Sequence, residues 1–210
     1  MKRRKQHNIF TIHGWSYSPA VWLNTPLRNA NHLTLPGHGK TPFKSTNIEE
    51  LSLEIGSLLP SDTILVGWSL GATIAYKIAE NFPEKLVKLI LIAPTPSFKG
   101  ISQKEAVIKR FLKKLKRNFL EGTNFFRKLC GENHPDLNHL KKEKATKLLE
   151  SFINFKLATP LKIETEILVG EEDTITGLKG AFETFKLTKG TLKVYPRENH
   201  ISILKETKIS

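Results

Sequence analysis

The stretch that most restricts how this chain can fold is Thr63-Ile-Leu-Val66 followed by Gly67-Trp-Ser-Leu-Gly71. The first four residues suit a strand buried on both faces of a parallel sheet. The residues from Leu70 to Phe82 have helical spacing, with small Gly71, Ala72 and Ala75 allowing close approach to a sheet. A G-x-S-x-G sequence alone arises by chance in roughly 5–10% of chains this long. Set between a strand and a helix it reads as a nucleophile elbow. Such a turn strains the backbone at Ser69, exposes the hydroxyl and seats it at a helix N-terminus that favours developing negative charge. The competing role for Ser69 is an ordinary helix N-cap.

Around this unit the pattern alternates. Strands are expected at Asn8–Ile12, His32–Leu35, Thr63–Val66 and Val87–Ala93. Helices are expected at Ala20–Leu27, Ile48–Leu59 and Leu70–Phe82, which together describe βαβ units and a parallel sheet. The alternation breaks between residues 98 and 158. There Ile108, Phe111, Leu112, Leu115 and Phe119 mark one amphipathic helix, and Leu148, Leu149, Phe152 and Ile153 mark another. Strands return at Glu164–Val169 and Thr191–Tyr195, with a helix near Leu178–Leu187 between them. The expected organisation is an α/β core of residues 1–97 and 159–210, divided after its fourth strand by a small helical cap of residues 98–158.

A serine hydroxyl needs a base, and after this elbow the expected chain order is serine, acid, histidine. Of the three aspartates, Asp62 precedes Ser69 and Asp136 lies in the insertion. Asp173 follows the strand ending at Val169 and the turn Gly170-Glu171-Glu172, at the carboxyl edge of the sheet where sites form. Glu171 and Glu172 are weaker stand-ins. Only His200 lies beyond Asp173, in a loop after the last strand. An oxyanion hole is expected from the backbone N–H of Leu70 and that of Trp15, in the turn His13-Gly-Trp15. His13 and His38 read as structural or pocket-lining. His134 and His139 lack neighbouring carboxylates at ligand spacing, so no metal or other cofactor is expected.

Composition narrows the class. A chain of 210 residues suits a single domain, and its one cysteine, Cys130, rules out a disulfide scaffold and fits a reducing, cytoplasmic setting. The strongest apolar stretch, Leu86–Pro94, contains Lys88 and is far too short to span a membrane. The basic Met1–Lys5 run lacks the apolar segment of a signal peptide and reads as a solvated tail. The net charge is +13, and residues 98–158 hold fifteen Lys or Arg against six Asp or Glu. The excess is mostly lysine, with no zinc-finger spacing and no RNA-binding aromatic motif, so an acidic protein is favoured over nucleic acid, with a solvated lysine-rich face or a membrane surface as the competing readings.

Taken together, His13-Gly-Trp15, Leu35-Pro-Gly-His-Gly39, Gly67-Trp-Ser-Leu-Gly71, Gly170-Glu-Glu-Asp173 and His200 resemble an α/β-hydrolase with a helical cap. Within that superfamily, the pairing of His-Gly-Trp with Gly-Trp-Ser-Leu-Gly resembles the pimeloyl-acyl carrier protein methyl ester esterases of biotin synthesis. The resemblance implies a mostly parallel sheet flanked by helices. The strands that usually precede His-Gly-Trp have no counterpart, which implies a smaller sheet. Ala72 and Asn199 stand where glycines are common. It further implies a Ser69–Asp173–His200 triad, Trp15 and Leu70 as hole donors, and hydrolysis of a methyl ester on an acyl chain held by acyl carrier protein. Trp15, Phe111, Phe119, Phe125 and Phe126 are the expected pocket lining. Lys109, Arg110, Lys113, Lys114, Arg117, Arg127 and Lys128 are the expected carrier-docking charges. A general carboxylesterase for small esters and a non-catalytic binding protein are the competing readings.

Overall fold

The computed structural model describes residues 7–133 and 135–208. The basic run Met1–Lys5 and His134 therefore lie outside the described residues. Six strands form one sheet: β1 (Asn8–Ile12), β2 (Asn31–Leu33), β3 (Thr63–Trp68), β4 (Leu86–Ile92), β5 (Glu164–Gly170) and β6 (Lys189–Tyr195). Their order is β2-β1-β3-β4-β5-β6, and every neighbouring pair is parallel. The central strand β3 is buried along its whole length, as its unbroken apolar run requires.

Helix α1 (Ile48–Leu58) is started by Asn47, whose side chain accepts from the Glu49 and Glu50 amides. Helix α2 (Leu70–Asn81) follows β3 with only Ser69 between them and is buried along almost its whole length. Three helices then separate β4 from β5: α3 (Glu105–Arg117), α4 (Phe119–Leu129) and α5 (Lys142–Asn154). Helix α6 (Gly177–Phe185) links β5 to β6.

Two expected helices differ. The Ala20–Leu27 segment makes only a 3-10 turn at Pro19–Trp22, because Pro26 has no N–H and restricts Thr25 before it. The apolar stripe from Ile108 to Phe119 is broken at Asn118. Its side chain accepts from the Glu121 amide and starts a second helix, and Gly122 lets that helix fold back against Leu115.

The junction between β3 and α2 leaves no spare volume. A Cβ at Gly71 would collide with the carbonyl oxygen of Ile12 in β1, and one at Gly67 with the carbonyl oxygen of Gly71. The glycines thus let the helix start directly against the sheet. Gly71→Ala is expected to lower the unfolding free energy by about 1–3 kcal/mol, the usual cost of overpacking, as read by urea denaturation.

Candidate active site

The connections leaving β1, β3, β5 and β6 all carry predicted site residues at the carboxyl edge of the sheet, where a parallel sheet forms its sites. Ser69 has φ 57° and ψ −120°, a strained conformation for a residue with a side chain. Its amide is held by the Ile92 carbonyl at 2.9 Å. It occupies the N-cap position of α2, yet its hydroxyl makes no capping hydrogen bond. The hydroxyl lies instead 2.9 Å from His200 Nε2, and His200 Nδ1 lies 2.9 Å from Asp173 Oδ2.

Both ends of this relay are braced. Asp173 Oδ1 accepts from the Ile175 and Thr176 amides at 2.8 and 3.2 Å, and Oδ2 accepts from the Thr176 hydroxyl at 2.8 Å. Burial alone would raise the Asp173 carboxyl, but the His200 imidazole and these hydrogen bonds outweigh it and hold the group below the ordinary aspartate range. Asp173 is therefore an anion at neutral pH. The His200 carbonyl accepts from the Trp68 indole N–H at 2.9 Å, tying the histidine loop to the elbow strand. Asn199, in place of the common glycine, caps the turn after His200 by accepting from the Ile201 and Ser202 amides. Glu171 and Glu172 are exposed and take no part in this relay.

The turn after β1 packs directly over Ser69: a Cβ at Gly14 would lie 3.2 Å from the Ser69 Cβ. Among the described residues, neither the Trp15 nor the Leu70 amide donates to a protein acceptor. Histidines hold this turn. His13 Nδ1–H donates to the Gly14 carbonyl at 2.8 Å, while its Nε2 accepts from the Leu35 amide at 3.2 Å. His38 Nε2 accepts from the Ser16 amide at 2.9 Å, and its Nδ1–H donates to Pro36. Each ring thus acts as one donor and one acceptor, which only the neutral form can do. Burial lowers the His38 pKa to about 4 and drives that of His13 well below its ordinary value. Cys130 is buried beneath this region, and burial pushes its thiol up, so it stays protonated.

Ser69 opens into a cavity of about 480 Å³, within the range of small-molecule sites. Of the residues named from the sequence, Trp15, Phe111, Phe125 and Phe126 line it, joined by Phe98, Ile108, Leu149 and Phe152. The Trp15 ring meets Phe111 and Phe126 edge-on, with centroids 5.9 and 5.1 Å away. Phe119 does not line the cavity. With the helix broken at Asn118, it opens α4 and is buried in the core instead.

The expected docking charges divide. Lys109, Arg110, Lys113, Arg117 and Lys128 are exposed, with Arg110 also at the cavity wall. Lys114 is half-buried, 3.0 Å from Glu121 and over the Phe125 ring. Arg127 is not available for docking. It is 5% exposed, pairs with Glu132 at 2.5 Å, and stacks 3.5 Å over the Tyr17 ring. Two polar residues have roles that the sequence did not show. Gln103 Nε2 donates to the Thr174 and Ile175 carbonyls, and the Ser102 hydroxyl donates to Thr176, so the start of the cap grips the Asp173 loop. The D-x-x-T spacing of Asp173 and Thr176 was a readable sign of that loop. Among the described residues, no three His, Cys, Asp or Glu side chains gather as a metal-ligand set.

The sequence profile of the alpha/beta hydrolase family matches residues 9–205. The chain belongs to the alpha/beta hydrolase family. Among curated relatives it is similar to the pimeloyl-[acyl-carrier protein] methyl ester esterase of Aromatoleum aromaticum, at 36% identity over 96 residues, 43% of this chain and 38% of that protein. The protein of that name from Nitrosospira multiformis is 27% identical over 203 residues, 80% of this chain and 77% of the relative. The one from Wigglesworthia glossinidia brevipalpis is 32% identical over 124 residues, 53% and 47% respectively. The chain thus spans less than half the length of the first and third of these relatives. Among solved structures, a hydrolase from Oleispira antarctica superposes with a TM-score of 0.83 at 12% identity, covering 96% of this chain and 86% of that one. An esterase from Exiguobacterium antarcticum gives 0.80 at 17%, covering 93% and 85%. At those identities the likeness is one of fold.

The neutral histidines make stability depend on pH. The unfolded chain accepts a proton on His38 near pH 6.5, whereas the folded chain refuses it until about pH 4. The unfolded state therefore binds more protons across that window, and stability falls as pH drops through it. For His38 alone the loss from pH 7 to pH 5 is about 2 kcal/mol. Denaturant unfolding at the two pH values should show it, with a flatter dependence in His38→Gln.

Proposed function

We propose that this protein is a serine carboxylesterase whose substrate is the methyl ester of a pimeloyl chain carried on acyl carrier protein. The observation that carries the reading is the placement of Ser69. Its hydroxyl, bonded to His200, opens into an apolar cavity walled by a helix whose other side is basic. Such a cavity fits an acyl chain, and the outer lysines and arginines suit an acidic carrier. The names of the relatives point to the same substrate.

The chemistry follows from the groups. His200 Nε2 takes the proton of the Ser69 hydroxyl as its oxygen attacks the ester carbonyl carbon. Asp173 keeps Nδ1 protonated and stabilises the imidazolium. The Trp15 and Leu70 amides donate to the oxyanion. Collapse of the tetrahedral intermediate breaks the bond to the methoxy group, which leaves as methanol with the proton from His200. Water, deprotonated by His200, then cleaves the acyl-enzyme to free carboxylate and serine. The mechanism calls on no metal or organic cofactor. This reading implies a cytoplasmic enzyme, in keeping with the single unpaired Cys130. Among the described residues, no helix is long and apolar enough to cross a membrane.

The test compares pimeloyl-acyl carrier protein methyl ester with free dimethyl pimelate. Wild type should prefer the carrier-linked ester, and Ser69→Ala should lose at least about a thousandfold in kcat. Asp173→Asn should lose about as much, because the imidazole tautomer is no longer fixed. Raising salt from 50 to 500 mM should cut kcat/KM for the carrier-linked ester about tenfold and leave dimethyl pimelate nearly unchanged. The Lys109→Glu, Lys113→Glu double variant should reproduce the salt effect at low salt. Equal turnover of both esters would indicate a general carboxylesterase, and no turnover by folded protein a binding role.

A further inference from the structure

The buried Arg127 has no part in the reaction above, yet it converges on the turn beneath the hole. Its Nη1–H donates to the Ser16 carbonyl at 2.5 Å, its Nε–H to Glu132, and its guanidinium lies flat 3.5 Å over the Tyr17 ring. His139, also from the cap, donates to the same Ser16 carbonyl at 3.2 Å. Ser16 needs holding: its φ is 68°, a left-handed conformation disfavoured for any residue but glycine. Its own hydroxyl is buried and makes no hydrogen bond, so the side chain does not stabilise that conformation.

The grip extends to the Trp15 amide. Tyr17, fixed under the guanidinium, donates its N–H to the Gly14 carbonyl at 3.3 Å. His13 donates to the same carbonyl at 2.8 Å. A trans peptide is planar, so fixing the Gly14 carbonyl fixes the Trp15 N–H on its far side. A charge-assisted hydrogen bond together with stacking makes Arg127 the strongest cap contact on this turn.

We propose that Arg127 is a positioning residue of the esterase site, acting from the cap through Ser16 and Tyr17 to hold the Trp15 N–H toward the Ser69 oxyanion. The proposal rests on the esterase reading above. It makes the cap a structural part of the hole as well as the roof of the cavity. Displacement of a hole donor by about 1 Å costs on the order of a hundredfold in rate without changing how the ground-state ester binds.

The test uses the full chain and dimethyl pimelate, with wild type and Ser69→Ala run alongside. Arg127→Met is combined with Glu132→Gln so that the partly exposed Glu132 carboxylate is not left without its cation. The double variant should lose about 10- to 100-fold in kcat with KM within about twofold of wild type. Inhibition by a trifluoromethyl ketone, whose adduct with serine carries an oxyanion, should weaken by a similar factor. Arg127→Lys should recover part of both. If the double variant does not fold, Arg127→Lys and His139→Ala carry the test, each expected to show a smaller kcat loss at constant KM. An unchanged kcat and ketone affinity in folded variants overturns the positioning role. So does a loss confined to KM or to thermal stability. Absence of Ser69-dependent hydrolysis in wild type overturns the esterase reading itself, and the role of Arg127 with it.

Discussion

Ser69 is held at φ 57° because α2 begins one residue after β3 ends, and the remaining site is built around that junction. A left-handed residue with a side chain costs on the order of 1–3 kcal/mol and persists only where its surroundings over-determine it. Here the Ile92 carbonyl takes the Ser69 amide, and Gly67 and Gly71 let helix and sheet touch backbone to backbone. The Gly71 contact falls on the last residue of β1, so the packing that sets the serine also sets where the Gly14–Trp15 turn departs. Ser69 and the candidate hole donors are therefore placed by one junction between three elements.

A second constraint comes from burying polar groups under the site. The turn from His13 to Tyr17 lies outside the sheet ladder and is buried, so most of its amides and carbonyls need partners from other segments. Two neutral histidines, a third from the cap and one guanidinium partner the Gly14 carbonyl and the Ser16 amide and carbonyl, and leave the Trp15 amide free of a protein acceptor among the described residues. Such a network rigidifies when every member is satisfied and is costly when one is lost.

Much of this was legible in the sequence, for physical reasons that differ by element. The buried strands show as short apolar runs. The order of Ser69, Asp173 and His200 shows because the chemistry admits few residue types and only one histidine follows Asp173. The break between α3 and α4 was hidden because apolar spacing continues in phase across Asn118, although Asn118 and Glu121 carried an N-cap signal. Phe119 was misplaced for the same reason. Arg127 could not be read correctly: beside Lys128 it looks like surface charge, and its contacts on Ser16 and Tyr17 come from a turn more than a hundred residues earlier. Long-range pairing of this kind leaves no periodic trace.

The inserted helices touch the core at more than the cavity. The Trp15 indole donates to the Ala145 carbonyl, Gln103 grips the Asp173 loop, and the Ile201 amide, next to His200, donates to the Cys130 carbonyl. Each connection that carries a site residue from β1, β5 or β6 thus has a partner in residues 98–158. The insertion is consequently not modular. A graft of another family member's lid onto this core would carry its own pocket walls and still leave the three loops of the candidate site without the partners that shape them. Diversification of such a scaffold has to proceed on the outward surface of the helices, where side chains can change without touching those loops.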